Sequence, residues 1–88
     1  MTWISRLSRE AEKQLQRLPR DVQHRIARAI DELEKDPFRG DVLPLKGKKW
    51  KGRYRKRVGR YRIIFMLSPQ ERRIDISAIL TRGEQTYR

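Results

Sequence analysis

The sequence predicts an α+β domain with the element order β-α-α-β-β-β, an N-terminal strand and a helical hairpin packed on an antiparallel sheet. Three observations carry this expectation. Val22, Ile26, Ile30 and Leu33 recur at i, i+4, i+8 and i+11, the period of one helix face. Pro19 breaks the helical pattern just upstream and divides it in two. Three runs of strand-forming residues then follow, separated by Gly59-Arg60 and by Ser68-Pro69-Gln70-Glu71, both turn sequences. Consecutive strands joined by short turns pair as an antiparallel meander, and a helix pair covers one face of it.

Each element has its own local reason. Thr2–Leu7 alternates in the manner of a short strand. Ser8 follows as a helix N-cap, with Glu10 and Glu12 in the first turns, where the helix dipole favours acids. Ala11, Leu15 and Leu18 share one face of the first helix. Leu18 precedes a proline and is pushed out of helical geometry, while Pro19 suits the start of the second helix, supported by Asp21. Pro37 ends that helix. Phe38–Gly47 holds Gly40, Pro44 and Gly47 and reads as a loop. Strands are expected at Trp50–Val58, Tyr61–Leu67 and Arg73–Leu80. Trp3, Ile4, Ile63, Phe65, Ile74 and Ile76 are the expected core.

The 88 residues fit one domain, 1–88. There is no cysteine, which excludes a disulfide scaffold, a Cys-ligated zinc site and thiol catalysis. His24 is the one histidine. It sits within the second helix without a second titratable partner, so neither a metal centre nor a cofactor is expected. No apolar run approaches the roughly 18 residues of a membrane span, and no signal-peptide pattern opens the chain. A soluble cytoplasmic protein without membrane contact is expected.

The charge is asymmetric. The chain carries 23 Lys and Arg against 11 Asp and Glu, a net +12. Residues 1–44 hold nine basic and eight acidic side chains, whereas residues 45–88 hold fourteen and three. Ten of the seventeen residues from Lys46 to Arg62 are basic and none is acidic. Self-repulsion makes such a cluster costly unless a polyanion neutralises it, and phosphate backbones gain affinity through counterion release. Lys46, Lys48, Lys49, Lys51, Arg53, Lys56 and Arg60 are the candidate nucleic-acid contacts. Arg55 and Arg57 share one strand face, and Lys56 alternates to the other.

With no cysteine and His24 set aside, the remaining arginines, lysines and tyrosines suit one reaction type. In RNA cleavage the 2′-hydroxyl attacks the adjacent phosphate, so the substrate supplies its own nucleophile. Guanidinium groups aimed at the growing negative charge stabilise the transition state. Aromatic rings stack on a splayed base and fix its geometry.

The run Tyr54-Arg55-Lys56-Arg57-Val58-Gly59-Arg60-Tyr61-Arg62-Ile63-Ile64-Phe65 resembles the RelE/ParE toxin superfamily of type II toxin–antitoxin modules. So do Leu45-Lys46-Gly47, Ile76–Arg82 and Tyr87-Arg88, and the helical hairpin with Ala11, Leu15 and Leu18-Pro19. The resemblance implies a ribosome-dependent mRNA endoribonuclease acting in the A site and leaving a 2′,3′-cyclic phosphate. Its implied catalytic residues are Arg55 and Arg57 on the strand, Arg62 after the turn, Arg82 after the last strand and Tyr87 near the C-terminus. Arg55 and Arg57 would hold phosphate and help activate the 2′-hydroxyl, Arg62 would stabilise transition-state charge, Arg82 would assist the leaving 5′-oxygen and Tyr87 would stack on or orient the nucleotide. Arginine stands where RelE itself commonly has lysine, and arginine remains protonated, which favours charge stabilisation over proton transfer. The implied partners are a cognate antitoxin and mRNA on the ribosome, with a toxin–antitoxin hetero-oligomer on operator DNA. The alternative is a ParE-like DNA gyrase inhibitor on the same fold, without nuclease activity. A third reading is a plain nucleic-acid-binding module. The structural reading of Arg62 is an ion pair with Asp75 or the C-terminus.

Overall fold

The computed structural model describes residues 2–81. The elements are β1 (Ile4–Leu7), α1 (Arg9–Gln16), α2 (Arg20–Lys35), β2 (Val42–Pro44), β3 (Arg53–Val58), β4 (Tyr61–Ser68) and β5 (Arg73–Thr81). All five strands form one sheet in the order β1-β5-β4-β3-β2. β2 to β5 pair antiparallel, and β1 adds at the far edge parallel to β5. The fold class is the α+β one the sequence predicts, with three corrections. The segment expected to be loop contains β2, whose Val42, Leu43 and Pro44 pair with Lys56, Arg55 and Tyr54. The N-terminal strand joins the sheet as an edge instead of packing upon it, and the strand expected from Trp50 begins at Arg53, after a 3₁₀ turn over Lys48–Trp50.

The helical hairpin forms for the expected reasons. The Ser8 hydroxyl accepts the Ala11 amide at 3.0 Å and donates to the Ser77 carbonyl at 3.1 Å, so the cap also ties α1 to β5. Between the helices, the Gln23 carboxamide donates to the carbonyls of Leu18 at 2.9 Å and Gln16 at 3.3 Å. Those carbonyls would otherwise lack partners at the end of α1. Replacing Ser8 with alanine is expected to cost about 1 kcal/mol, which lowers the unfolding midpoint of a domain this size by roughly 4–8 °C. A thermal melt with an unchanged midpoint would remove the cap from the account of α1.

The core lies between the helices and one face of the sheet. Ala11, Val22, Ile26, Ala29, Ile30 and Leu33 pack against Ile63, Phe65, Ile74, Ile76 and Ile79. Burial of these side chains supplies the main driving force. Ile4 departs from the expected core: it is 66% exposed on the opposite face, while Trp3 and Leu7 turn inward. In β5 the register shifts by one residue beside Ile64/Phe65, where Ala78 faces Ile64 and Ile76 faces Phe65. Ser77 is the extra residue of this bulge, and it lets both Ile76 and Ile79 reach the core.

The outer edges of the sheet are occupied. On β1, the Trp3 amide donates to the Glu34 carbonyl at 2.6 Å and the Ser5 amide to the Glu34 carboxylate at 3.2 Å. Beyond the end of β1, the Ile79 amide of β5 donates to the Gln14 side chain at 2.6 Å. On β2, the Val42 amide donates to Gly40 at 2.9 Å, and Pro44 has no N–H.

Candidate nucleic-acid interface

The face of the sheet away from the helices gathers the strand arginines. Alternation along β3 sends Arg53, Arg55 and Arg57 to this face and Tyr54, Lys56 and Val58 toward the helices. Pairing with β4 sets Arg57 opposite Arg62, Arg55 opposite Ile64 and Arg53 opposite Met66. Arg62 in turn faces Leu80 of β5. Directly opposed residues have Cα atoms about 4.5–5.5 Å apart. Arg55, Arg57 and Arg62 therefore form one cluster near the Gly59-Arg60 turn. Ile64 and Leu80 are buried on this same face and make an apolar floor beneath it.

An acid at the edge organises the cluster. Oδ1 of Asp41 lies 3.4 Å from Nη1 of Arg55, and its Oδ2 lies 3.4 Å from Nε of Arg57. One half-exposed carboxylate thus separates two guanidinium groups. Its position is fixed from several sides. The Arg57 amide donates to the Asp41 carbonyl at 3.0 Å. The Phe38 ring meets Tyr54 edge-on at 5.5 Å, and Tyr54 stacks on Phe65 at 5.7 Å. The Arg39 carbonyl accepts from Nζ of Lys56 at 3.1 Å. Gly40 allows this close approach: with φ +84°, it leaves room where a Cβ would stand 3.0 Å from Nζ of Lys56.

Lys56 is a correction to the expected nucleic-acid contacts. It is 4% exposed, faces α2, and pairs with Oε1 of Glu32 at 3.0 Å. Its charge is spent inside the protein. The hydrogen bond from Lys56, followed by its positive charge, holds the Glu32 carboxyl below its ordinary pKa. A depressed carboxyl contributes stability that is fully present above its unfolded pKa and is lost as pH falls through the folded one. Acid titration of Glu32→Gln is therefore expected to show a shallower loss of stability below about pH 4.3 than the wild type. Parallel curves for the two proteins would argue against the pair.

The other predicted contacts divide. Lys46, Lys48, Lys49 and Lys51 are exposed between β2 and β3, and Arg60 is exposed at the opposite end of β3. Six strand residues separate the groups, about 20 Å. Arg53 lies on the arginine face at the lysine end. Asp75, the sequence-level partner considered for Arg62, is taken by Nε of Arg73 at 3.1 Å. Arg82 and Tyr87 lie outside the described residues. Asp41 and the apolar floor were not among the expected site residues. The parity of Ile64 signals part of the floor, Leu80 joins it only through the bulge at Ser77, and nothing local signals the two bridges made by Asp41.

Comparison with known proteins places this arrangement. The profile of the family described as "ParE toxin of type II toxin-antitoxin system, parDE" matches residues 6–86. The chain belongs to this toxin family. It is similar to the archaeal RelE–RelB complex of Pyrococcus horikoshii, at 30% identity and a TM-score of 0.79, covering 97% of this chain and 100% of that one. A RelBE toxin–antitoxin complex of Mycobacterium tuberculosis shares the fold at 22% identity, with a TM-score of 0.83 and coverage of 93% and 100%. The YoeB/ParE toxin of Agrobacterium tumefaciens shares it at 19% identity, with a TM-score of 0.78 and coverage of 90% and 98%. No curated protein matches the sequence significantly. The chain is thus a type II toxin of the RelE/ParE superfamily. Among the described residues, no helix is long and apolar enough to cross a membrane.

Proposed function

We propose that this RelE/ParE toxin is a ribosome-dependent mRNA endoribonuclease acting in the cytoplasm. The observation that carries the reading is the convergence of Arg55, Arg57 and Arg62 at one end of one sheet face. Arg55 and Arg57 turn from Asp41 to the scissile phosphate, whose single negative charge grows as the pentacoordinate transition state forms, while that of the carboxylate does not. The 2′-hydroxyl attacks phosphorus and the 5′-oxygen leaves, giving a 2′,3′-cyclic phosphate and a 5′-hydroxyl. Arg62 stabilises the charge of the pentacoordinate transition state. Arg82 assists the leaving oxygen and Tyr87 orients the nucleotide. A cognate antitoxin neutralises the toxin by covering this face, where Ile4, Leu43 and Met66 are exposed beside the cations. The pair then forms the hetero-oligomer that binds operator DNA. Mapping mRNA 5′ ends on translating ribosomes after induction tests the proposal. Cuts phased to the reading frame are expected, and intact messages in arrested cells would overturn it.

Inhibition of DNA gyrase is the second reading. Two observations favour it: the matching family profile is that of ParE, and among the described residues the arginine face has no histidine or lysine to take a proton. It predicts DNA damage with intact messages.

A further inference from the structure

We propose that the cleft between α2 and the end of β3 is a second phosphate site, which receives the backbone of single-stranded RNA as it leaves the arginine face. The inference rests on reading that face as RNA-binding and extends it around the edge of the sheet.

The cleft arises from a mismatch in strand length. β2 starts at Val42, opposite Lys56, and beyond it only the Asp41 carbonyl, which accepts from the Arg57 amide, borders the end of β3. Helix α2 passes this end of β3 and leaves a cleft of about 320 Å³. Arg25, Arg28, Lys56 and Arg57 line it together with the acids Glu32 and Asp41. Arg25 and Arg28 are three residues apart and share a face of α2. Arg25 lies against the Gly59 turn, where a Cβ would stand 2.5 Å from its Nη2. The absent side chain at Gly59 is what allows Arg25 to settle there.

The charges do not cancel. Glu32 is engaged by Lys56, and Asp41 is shared by Arg55 and Arg57. Among the described residues, no carboxylate lies within ion-pair distance of Arg25 or Arg28. Two adjacent guanidinium forks without an anion match the geometry of a phosphate. Arg57 decides in favour of nucleic acid over an acidic peptide. It belongs to both places, holding Asp41 on the sheet face and lining the cleft. A strand whose phosphate sits on Arg55 and Arg57 therefore passes the cleft with its next phosphates.

The test is equilibrium binding of a 2′-O-methyl RNA of roughly twelve nucleotides, which has no free 2′-hydroxyl for cleavage, across a salt series. Arg25→Ala/Arg28→Ala is expected to bind about tenfold or more weakly, and its log-affinity slope against log salt is expected to fall by about 1.4, two charges on a single strand. Arg25→Lys/Arg28→Lys is expected to keep the slope while losing part of the affinity. Both arginines are exposed, so the wild-type melting midpoint is expected in each variant. Unchanged affinity and slope in the alanine variant overturn the proposal. A wild type without RNA affinity overturns it as well, as does a loss confined to binding of the acidic antitoxin. Message mapping separates the two readings. In-frame cuts with an alanine variant that binds RNA normally remove the cleft and spare the nuclease. Intact messages with weakened RNA binding remove the nuclease and spare the cleft.

Discussion

Replacing Arg57 and Arg62 together by alanine is expected to abolish growth arrest on induction while the domain stays folded. The two residues face each other across β3 and β4, and in the proposed mechanism they meet the same phosphate. Losing one preorganised donor to a transition-state anion typically costs a factor of about 10²–10³, roughly 2.7–4 kcal/mol. Donors that act as a unit do not contribute additively, and each single variant is already expected to be crippled. Folding is expected to survive because neither residue belongs to the helix-side core, and removing opposed like charges relieves repulsion between the strands. Growth curves with a parallel thermal melt make the measurement. A folded double variant that still arrests growth takes the arginine face out of the mechanism, under either proposed target.

The second large effect concerns folding. Lys56→Glu is expected to unfold the protein at ordinary temperatures. The reversal would set a buried carboxylate against Glu32 and against the Arg39 carbonyl, both of which now accept hydrogen bonds from Lys56. Leaving a buried charge without compensation costs about 3–5 kcal/mol. Domains of this size hold only roughly 4–13 kcal/mol in total, so the reversal removes much or all of the stability. Lys56→Met separates charge from packing. It keeps a long side chain and leaves Glu32, whose side chain is 60% exposed, free to hydrate. The unsatisfied Arg39 carbonyl then remains, at about 1–2 kcal/mol. Circular dichroism of the two variants gives the comparison. A folded Lys56→Glu protein would show that α2 and the Arg39–Asp41 segment do not depend on this contact.

The fold was largely legible because its signals are periodic. The spacing of Val22, Ile26, Ile30 and Leu33 sets the buried face of α2, and Ser8 marks the start of α1. β2 was hidden because three residues ending in proline carry no period of their own. They form a strand through partners on β3. The bulge left a trace, since Ile74, Ile76 and Ile79 are spaced by two and then three, and an extra residue is what that spacing requires. In the site, alternation correctly placed Lys56 opposite Arg55 and Arg57. It did not show that Glu32, 24 positions earlier, covers that side. The same limit applies to Asp41, which meets Arg55 and Arg57 only after the chain has turned at Gly40. The run of basic residues suggested one continuous surface, but a hairpin sends its two ends in opposite directions, which separates the lysines from Arg60.

The seals along the sheet bear on how the toxin behaves when crowded. Stacking one molecule on the next through backbone pairing, the route to fibres, requires vacant N–H groups on a rim. Here the outward amides of Trp3, Ser5, Val42 and Ile79 already have acceptors, and Pro44 has none to offer. Newly made copies that meet before any inhibitor arrives find few places to zip together. One side chain from each helix, Gln14 and Glu34, thus helps to keep the poison dispersed.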